Sequence, residues 1–276
     1  MPMPSFALQG VVEDAIRRTS NIAWSVCIRN GEGRELACFN HAATMEIASV
    51  GKLLLLIEVA RQCEVGDLAG TEVLFRDPGL VVADSGIWQH LRTDRLPVHD
   101  LCVLIASVSD NVATNILLKR IGFQRLNDLR AALGLTNTAL LDYVREQRGP
   151  DDVPTFSTGS AAELSSLMSS IARNSVISQA VCEQLRTWLA TGVDLSMVAS
   201  AFNFDPLAHA GPDRGYSVHN KTGTDAGIRA DVGTVWRNGN PLSYAVIANW
   251  EPSEPGLRDT VLVTMNTIGK RLRDHM

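Results

Sequence analysis

The sequence predicts a two-lobe α+β fold, in which an antiparallel sheet flanked by terminal helices carries an inserted all-α lobe. Three observations lead to this fold class. Strand patterns occur towards both ends of the chain, short turns join consecutive strands, and the long segment between them has helical spacing. Short turns join antiparallel strands, so both chain ends should contribute to one sheet. We expect residues 1–47 and 212–276 to form the α/β lobe and residues 48–211 the all-α lobe, with the active-site cleft between them.

The first elements along the chain are a helix and a hairpin. The apolar residues of Phe6–Arg18 fall on one side of a helix. Two apolar strand segments, Ala23–Arg29 and Glu35–Phe39, then flank Asn30-Gly31-Glu32-Gly33, whose composition is typical of a hairpin turn.

The central segment is predicted to be almost wholly helical, and strands return only after it. The candidate helices cover residues 49–63, 98–107, 110–121, 124–133, 160–173 and 178–190. The later strand patterns are Tyr216–Lys221, Asp231–Trp236 and Leu242–Trp250, with a turn at Asn238-Gly239-Asn240 before the last one. An amphipathic helix over Leu257–Asp274 follows them.

Composition and charge narrow the class of protein. The 276 residues are 45% hydrophobic and 20% charged, which is enough to bury a sizeable core and excludes a disordered chain. The net charge of −5 gives no basic field, so neither nucleic acid nor a membrane is expected as a partner. We expect a small-molecule substrate instead, and a monomer or weak dimer.

The chain shows no targeting or metal-binding pattern. Its start has neither the basic residues nor the unbroken apolar run of a secretory leader, which predicts a cytoplasmic protein, or a periplasmic or secreted one if a leader has been removed. None of the five cysteines forms a CxxC pair, and most lie among apolar residues, so buried free thiols are expected. No metal or other cofactor is indicated.

The first motif with chemical meaning is Ser49-Val50-Gly51-Lys52, at the start of an apolar helix. Residues i and i+3 share a helix face, so the hydroxyl and the amine are neighbours. A lysine can act as the base that activates a serine if burial and nearby cations lower its pKa. Taken alone, the motif fits a capping serine with a surface lysine equally well.

Two further motifs follow. Ser109-Asp110-Asn111 lies between two helical segments, where capping alone would explain it, or where it would relay a proton and hold an amide. Lys221-Thr222-Gly223-Thr224 ends a strand. It fits a strand that enters a glycine turn, or a strand edge that pairs with substrate while a lysine and hydroxyls face an anion.

In this order, SxxK, SDN and KTG are the motif set of serine β-lactamases and penicillin-binding proteins. The chain resembles the class A serine β-lactamase family beyond the motifs. Met45–Arg61 is similar to its nucleophile helix, Leu96–Gly122 to its SDN region, and His219–Trp236 to its KTG strand and the strand that follows. The resemblance covers essentially the whole chain and implies the β-lactamase-like (DD-peptidase/β-lactamase) fold.

The resemblance also implies roles for the residues that match the motifs. Ser49 would be the acylated nucleophile, Lys52 its base or proton relay, and Ser109 the donor of a proton to the leaving nitrogen. The backbone N–H groups of Ser49 and Thr224 would form the oxyanion hole. Asn111 would hold a side-chain amide of the substrate, and Lys221 with Thr222 would bind its carboxylate, to which Arg229 would add. Thr224 would also belong to the substrate-binding residues.

One region departs from the family. Class A enzymes carry a Glu-x-x-Leu-Asn loop whose glutamate activates the water that clears the acyl-enzyme. The corresponding segment here, 141–150, has no Leu-Asn pair and places Arg145 at the glutamate position when aligned without gaps. Glu146 lies one residue later and would take this role only if the loop is rebuilt; otherwise it is a solvated charge. Fast hydrolysis is therefore in doubt, whereas acylation is not.

Several functions remain open from the sequence. The leading one is a serine hydrolase that opens a β-lactam or a related amide or ester through a Ser49 acyl-enzyme, as in antibiotic catabolism. A penicillin-binding DD-peptidase and a cytoplasmic biosynthetic esterase or acyltransferase are alternatives. A module that binds β-lactams by acylation and acts only as a sensor is the alternative from another class.

Overall fold

The computed structural model describes residues 5–17 and 19–276, with side chains from Leu8 onward in the first segment. Two parts of the sequence predictions lie outside the described residues. One is Arg18, the last residue of the predicted first helix. The other is Met1–Pro4, which contributes to the prediction that no secretory leader is present. Among the described residues, no helix is both long and apolar enough to cross a membrane.

The helices agree closely with the periodicity in the sequence. They are α1 Ser5–Arg17, α2 Lys52–Val65, α3 Val98–Val108, α4 Asn111–Ile121, α5 Phe123–Ala132, α6 Ala161–Ala172, α7 Gln179–Leu189 and α8 Leu257–His275. The strands are β1 Ile22–Arg29, β2 Glu35–Phe39, β3 Met45–Glu46, β4 Val73–Phe75, β5 Arg95–Pro97, β6 Ala139–Leu140, β7 Ser157–Gly159, β8 Tyr216–Asp225, β9 Ile228–Arg237 and β10 Asn240–Trp250.

Five strands form one antiparallel sheet in the order β2-β1-β10-β9-β8. Strands from both chain ends therefore share a sheet, as the sequence predicts. Asn238 and Gly239 join β9 to β10, and both have positive φ, of 50° and 84°. Such angles at both central residues give a turn whose twist matches that of the strands. β8, which carries the KTG motif, lies at one edge of the sheet.

Each face of the sheet packs against helices because successive strand residues point to opposite sides. Tyr244, Val246 and Ala248 of β10 belong to a core shared with α1 and α8. The alternate residues Ala245 and Ile247 belong to a second core shared with α2, α3, α4 and α6. The terminal helices therefore cover one face, and the helices of the central segment cover the other.

The central segment is less uniformly helical than predicted. It contains the short strands β4 to β7, which pair as β4–β5 and as part of a small sheet in the order β3-β7-β6. Strands of two or three residues are too short to produce a readable alternation, so the sequence pattern missed them.

The 3-10 turn Ala48–Gly51, which carries Ser49, is held between β7 and β8 at two glycines. A Cβ atom on Gly51 would lie 2.4 Å from the Cβ atom of Ser157, and one on Gly223 would lie 2.1 Å from the backbone oxygen of Ile47. Neither site leaves room for a side chain. These two contacts place the SxxK motif against the KTG strand.

Candidate active site

A cleft of about 630 Å³ collects the residues of all three sequence motifs. It is lined by these predicted site residues: Ser49, Ser109, Asn111, Glu146, Lys221, Thr222 and Thr224. Lys52 lies beneath them, fully buried at the start of α2. Helix, interhelical loop and edge strand thus converge although the motifs are 60 and 112 residues apart in sequence.

The Ser109 hydroxyl lies between two lysine amines. Lys52 Nζ donates hydrogen bonds to the Ser109 backbone oxygen at 2.6 Å and to Asn111 Oδ1 at 2.8 Å, and lies 3.3 Å from Ser109 Oγ. Lys221 Nζ donates to Ser109 Oγ at 3.1 Å and to the Thr222 backbone oxygen at 2.9 Å. This geometry gives a continuous path for protons from one amine to the other.

Burial lowers the pKa of both lysines. Burial, with a further contribution from the nearby Lys221 cation, holds the pKa of Lys52 well below its usual value, against the smaller opposing effects of Asp110 and Asp84. Burial also lowers the pKa of Lys221, to about 8, while Asp194 and Asp231 act in the opposite direction. Lys221 is therefore mostly cationic at neutral pH, and Lys52 gives up its proton more readily than an ordinary lysine.

Ser109 is held in a left-handed conformation, with φ 56° and ψ 35°, at the end of α3. The next residue, Asp110, is fully buried and fixes this turn in place. Its carboxylate accepts hydrogen bonds from the backbone N–H groups of Ile87 and Trp88, both at 2.8 Å, and caps α4 through the N–H of Ala113 at 2.9 Å. The middle residue of the SDN motif is thus a capping residue, while Ser109 faces the cleft.

Asn111 is already engaged at both ends of its amide. Its Oδ1 accepts from Lys52, and its Nδ2 donates to the backbone oxygen of Ala83 at 3.2 Å. The backbone N–H of Asn111 also donates to the oxygen of Ser85 at 3.0 Å. Asn111 therefore orients Lys52 and anchors the segment 83–85, and contact with a substrate amide stays a prediction.

Arg229 lies in β9 directly across from Thr224, but it does not line the described cleft. Its guanidinium donates to the backbone oxygens of Asp225, at 2.9 Å, and Ile228, at 2.6 Å, and lies 5.8 Å from the ring centre of Trp250. Thr222 and Thr224, by contrast, line the cleft beside Lys221. The predicted anion site therefore rests on Lys221 and the two threonines, and a role for Arg229 in it stays a prediction.

The loop that departs from the family is held by ion pairs. Asp142 Oδ2 lies 2.7 Å from Arg145 Nε and 2.6 Å from Arg148 Nη1. Arg145 is the residue that the gap-free alignment predicts at the glutamate position. The exposed Glu146 lines the cleft, and its Oε1 accepts from the backbone N–H of Ala83 at 3.0 Å.

Two acidic residues escaped the sequence analysis. Asp84 lines the cleft, has a φ of 77° that is rare for any residue except glycine, and lies close enough to oppose the lowering of the Lys52 pKa. No motif marks it, so the sequence offered no signal. The second acidic residue is Asp231 of β9, the strand that pairs with the KTG strand β8.

Asp231 is fully buried, and burial raises its pKa to about 6. It accepts hydrogen bonds from Asn220 Nδ2 at 3.0 Å, from the Tyr244 hydroxyl at 3.1 Å, and from two backbone N–H groups of the turn Val198–Phe202. These contacts fix the residue that precedes Lys221. An aspartate inside an apolar strand was the available signal.

Comparison with protein families assigns the chain to a known family. Residues 7–276 match the family Beta-lactamase2, described as the β-lactamase enzyme family. No curated protein matches the sequence.

Solved structures with the same fold include three of direct interest. A β-lactamase from Sphaerobacter thermophilus superposes with a TM-score of 0.83 at 21% identity, over 98% of this chain and 96% of that one. An ancestral class A β-lactamase gives 0.81 at 20% identity, over 98% and 100%. A PBP-A variant, solved as an acyl-enzyme complex with penicillin G, gives 0.79 at 20% identity, over 98% and 96%.

The structural matches establish the two-lobe β-lactamase fold, and the family match covers nearly the whole chain. The chain belongs to the β-lactamase enzyme family and is a serine hydrolase.

Proposed function

We propose that this serine hydrolase opens the amide bond of a carboxylate-bearing β-lactam through an acyl-enzyme on Ser49, and that it releases the acyl group slowly. The observation that carries the proposal is the buried Lys52–Ser109–Lys221 hydrogen-bond chain beside Ser49. The cleft that holds it would separate the lobe 1–47 and 212–276 from the lobe 48–211.

Acylation needs a base, an oxyanion site and a proton donor. Neutral Lys52, whose charged form burial disfavours, would take the proton of the Ser49 hydroxyl as its oxygen attacks the carbonyl carbon. The backbone N–H groups of Ser49 and Thr224 would stabilise the oxyanion. Ser109 would then give its proton to the leaving nitrogen and regain one from Lys52, 3.3 Å from its oxygen.

The substrate class follows from charge. Lys221 is cationic at neutral pH and lies at the cleft wall with Thr222 and Thr224. A cation with adjacent hydroxyls suits a carboxylate, because a charge-assisted hydrogen bond is about twice as strong as a neutral one.

Slow release follows from the altered loop. Where the family has its glutamate, the chain has Arg145, which is paired with Asp142. Four acidic residues line the described cleft: Asp84, Glu146, Asp194 and Asp225. Glu146 already accepts a hydrogen bond from Ala83, and Asp84 lies near Lys52. Loss of a general base typically costs about 10² to 10⁴ in rate, so acylation should outrun hydrolysis of the acyl-enzyme.

A second candidate function is the acylation-only sensor or penicillin-binding protein. It is favoured by the same loop and by the PBP-A relative that is seen acylated by penicillin G. The two functions differ in the lifetime of the acyl-enzyme.

Rapid mixing with a chromogenic cephalosporin separates them. We expect a burst of one equivalent of product, followed by slow turnover, and an adduct on Ser49 by mass spectrometry. Ser49→Ala should abolish both the burst and the adduct. Ser107→Ala, which alters another serine at the cleft, should retain them. An adduct that forms normally in Ser49→Ala would refute the assignment of the nucleophile.

The slow phase identifies the group that activates water. Glu146→Gln or Asp84→Asn should slow it by at least about tenfold if the altered carboxylate is the base. If neither variant changes it, water is activated elsewhere. A fast steady state without a burst would contradict slow release.

A further inference from the structure

Two cysteines of the sheet face each other on neighbouring strands. Cys27 of β1 is directly opposite Cys38 of β2 in the antiparallel register. Directly opposed residues project to the same face of a sheet. The two sulfur atoms are 3.2 Å apart. All five cysteines are free thiols, and these are the two whose sulfurs are in contact.

The backbone around Cys38 shows which kind of cross-strand pair this is. The side chain of Gln9 in α1 forms hydrogen bonds with both backbone groups of Cys38. Gln9 Oε1 accepts from the Cys38 N–H at 2.8 Å, and Gln9 Nε2 donates to the Cys38 oxygen at 2.9 Å. Those groups therefore point away from β1, and the cysteines form a non-hydrogen-bonded pair. The Cα atoms of such pairs are about 4.5 Å apart, within the range of about 4.4 to 6.8 Å that disulfides span.

The surroundings favour reaction between the two thiols. Cys27 is fully buried and Cys38 is half-buried, so Cys38 is the sulfur that a reagent from solvent would meet. The hydrogen bond between the sulfurs lowers the pKa of Cys27 and raises that of Cys38, because one thiol stabilises the thiolate of the other. Cys27 therefore loses its proton more readily than Cys38.

Glu35 completes a three-residue group that resembles a metal site, with ligand atoms within 4.8 Å of one another. Its carboxylate, however, is already paired with Arg29 at 2.8 Å. A structural zinc site needs four protein ligands, and this group offers three. The geometry therefore favours a bond between the sulfurs over a metal ion.

We propose that Cys27 and Cys38 are a redox pair that forms a reversible disulfide with a low-molecular-weight disulfide as the oxidant. Cys38 attacks one sulfur of the oxidant as its proton passes to the Cys27 thiolate, so a mixed disulfide forms on Cys38 and one small thiolate leaves. Cys27 then loses its proton again, attacks the Cys38 sulfur and expels the second small thiolate. The two protons lost by the protein pass to the two small thiolates, so the oxidant is reduced to two thiols.

The disulfide would act on stability and leave catalysis unchanged. β2 and β8 are at opposite edges of the sheet, four strand spacings or about 19 Å apart. Neither cysteine lines the cleft. The bond would join β1 to the edge strand β2 and restrict the unfolded chain.

The test is to incubate the full chain with oxidised glutathione and then to measure intact mass, alkylatable thiols and linked peptides. We expect a loss of about 2 Da, protection of two of the five thiols, a 27–38 linked peptide, and reversal by dithiothreitol. The melting temperature should rise by about 5 °C on oxidation. Turnover should not change.

Two variants and one control sharpen the result. Cys27→Ser should stop at the mixed disulfide on Cys38, because the resolving thiol is gone. Cys38→Ser should leave Cys27 unmodified. The control Cys63→Ser removes another half-buried cysteine and should oxidise like the parent.

Retention of all five alkylatable thiols, or a link between other cysteines, would overturn the proposal. So would protection of Cys27 and Cys38 by Zn²⁺ alone with no loss of mass, since that result would assign the group to a metal.

Discussion

Raising the pH above about 8 should weaken the reaction with carboxylate-bearing substrates, because Lys221 then loses its charge. Burial lowers the pKa of this amine to about 8. It is therefore about nine-tenths charged at pH 7 and about one-tenth charged at pH 9. If only the cation holds the carboxylate, kcat/KM should fall about tenfold between these two values.

The contribution of Lys52 to the rate changes with pH in the opposite direction, so the effects of the two lysines must be measured separately. The neutral form of Lys52, the proposed base, increases with pH. A neutral ester of the same cephalosporin depends on Lys52 but offers no carboxylate to Lys221. The ratio of kcat/KM for the acid to that for the ester, measured from pH 6 to 9.5, therefore isolates the charge of Lys221. This measurement holds even if hydrolysis of the acyl-enzyme limits kcat, because kcat/KM reports steps up to acylation.

Lys221→Arg supplies a permanent cation, since a guanidinium does not titrate in this range. The ratio of acid to ester should then stay flat up to pH 9.5, whereas in the parent it falls by about tenfold between pH 7 and pH 9. Lys221→Ala should lower the ratio at every pH. A ratio that is constant in the parent, or that falls at the same pH in Lys221→Arg, would refute the reasoning.

Three further changes test the support around the site. Asp194→Asn removes a negative neighbour of Lys221, so the fall in the ratio should move to lower pH in the same assay. Ser109→Gly and Ser109→Ala should both lower kcat/KM by about 10² to 10⁴. Only glycine adopts the left-handed backbone without strain, so Ser109→Gly should be more stable than Ser109→Ala by about 1 kcal/mol in thermal unfolding. Gly223→Ala should lower the free energy of unfolding by roughly 2 to 4 kcal/mol and abolish acylation, because its Cβ atom meets the Ile47 backbone. The control Gly10→Ala, in open space on α1, should raise that free energy by about 0.5 to 1 kcal/mol.

The Ser109 turn explains why the protein tolerates strain at its centre. The left-handed backbone of Ser109 costs about 1 kcal/mol. The burial of the neighbouring Asp110 and the three hydrogen bonds that its carboxylate accepts offset this cost and hold the conformation. The same turn directs the Ser109 hydroxyl towards both lysines. A relaxed turn with the hydroxyl elsewhere would separate the amines from the proton donor.

The order of elements and the three motifs could be predicted from the sequence because both are local properties. Apolar spacing placed α3 and α4 to within a residue or so, and Asn238-Gly239 marked the β9–β10 turn. The short strands β4 to β7 were missed because two or three residues carry no period. Ser49, Lys52, Ser109 and Lys221 could be singled out because each belongs to a short motif that is readable in sequence, and their catalytic roles stay predictions.

Only the tertiary structure decided what those residues can do. The lowered pKa of Lys52 depends on complete burial beside Lys221, and the bridging position of Ser109 depends on contacts between residues 57 and 112 positions apart. The same holds for Asp84 at the cleft, Arg229 against Trp250 and the Cys27–Cys38 contact. Spacing along the chain fixes which residues share a helix face or a strand. Distances between elements, and the pKa values that burial sets, arise only when the sheet and the helices pack.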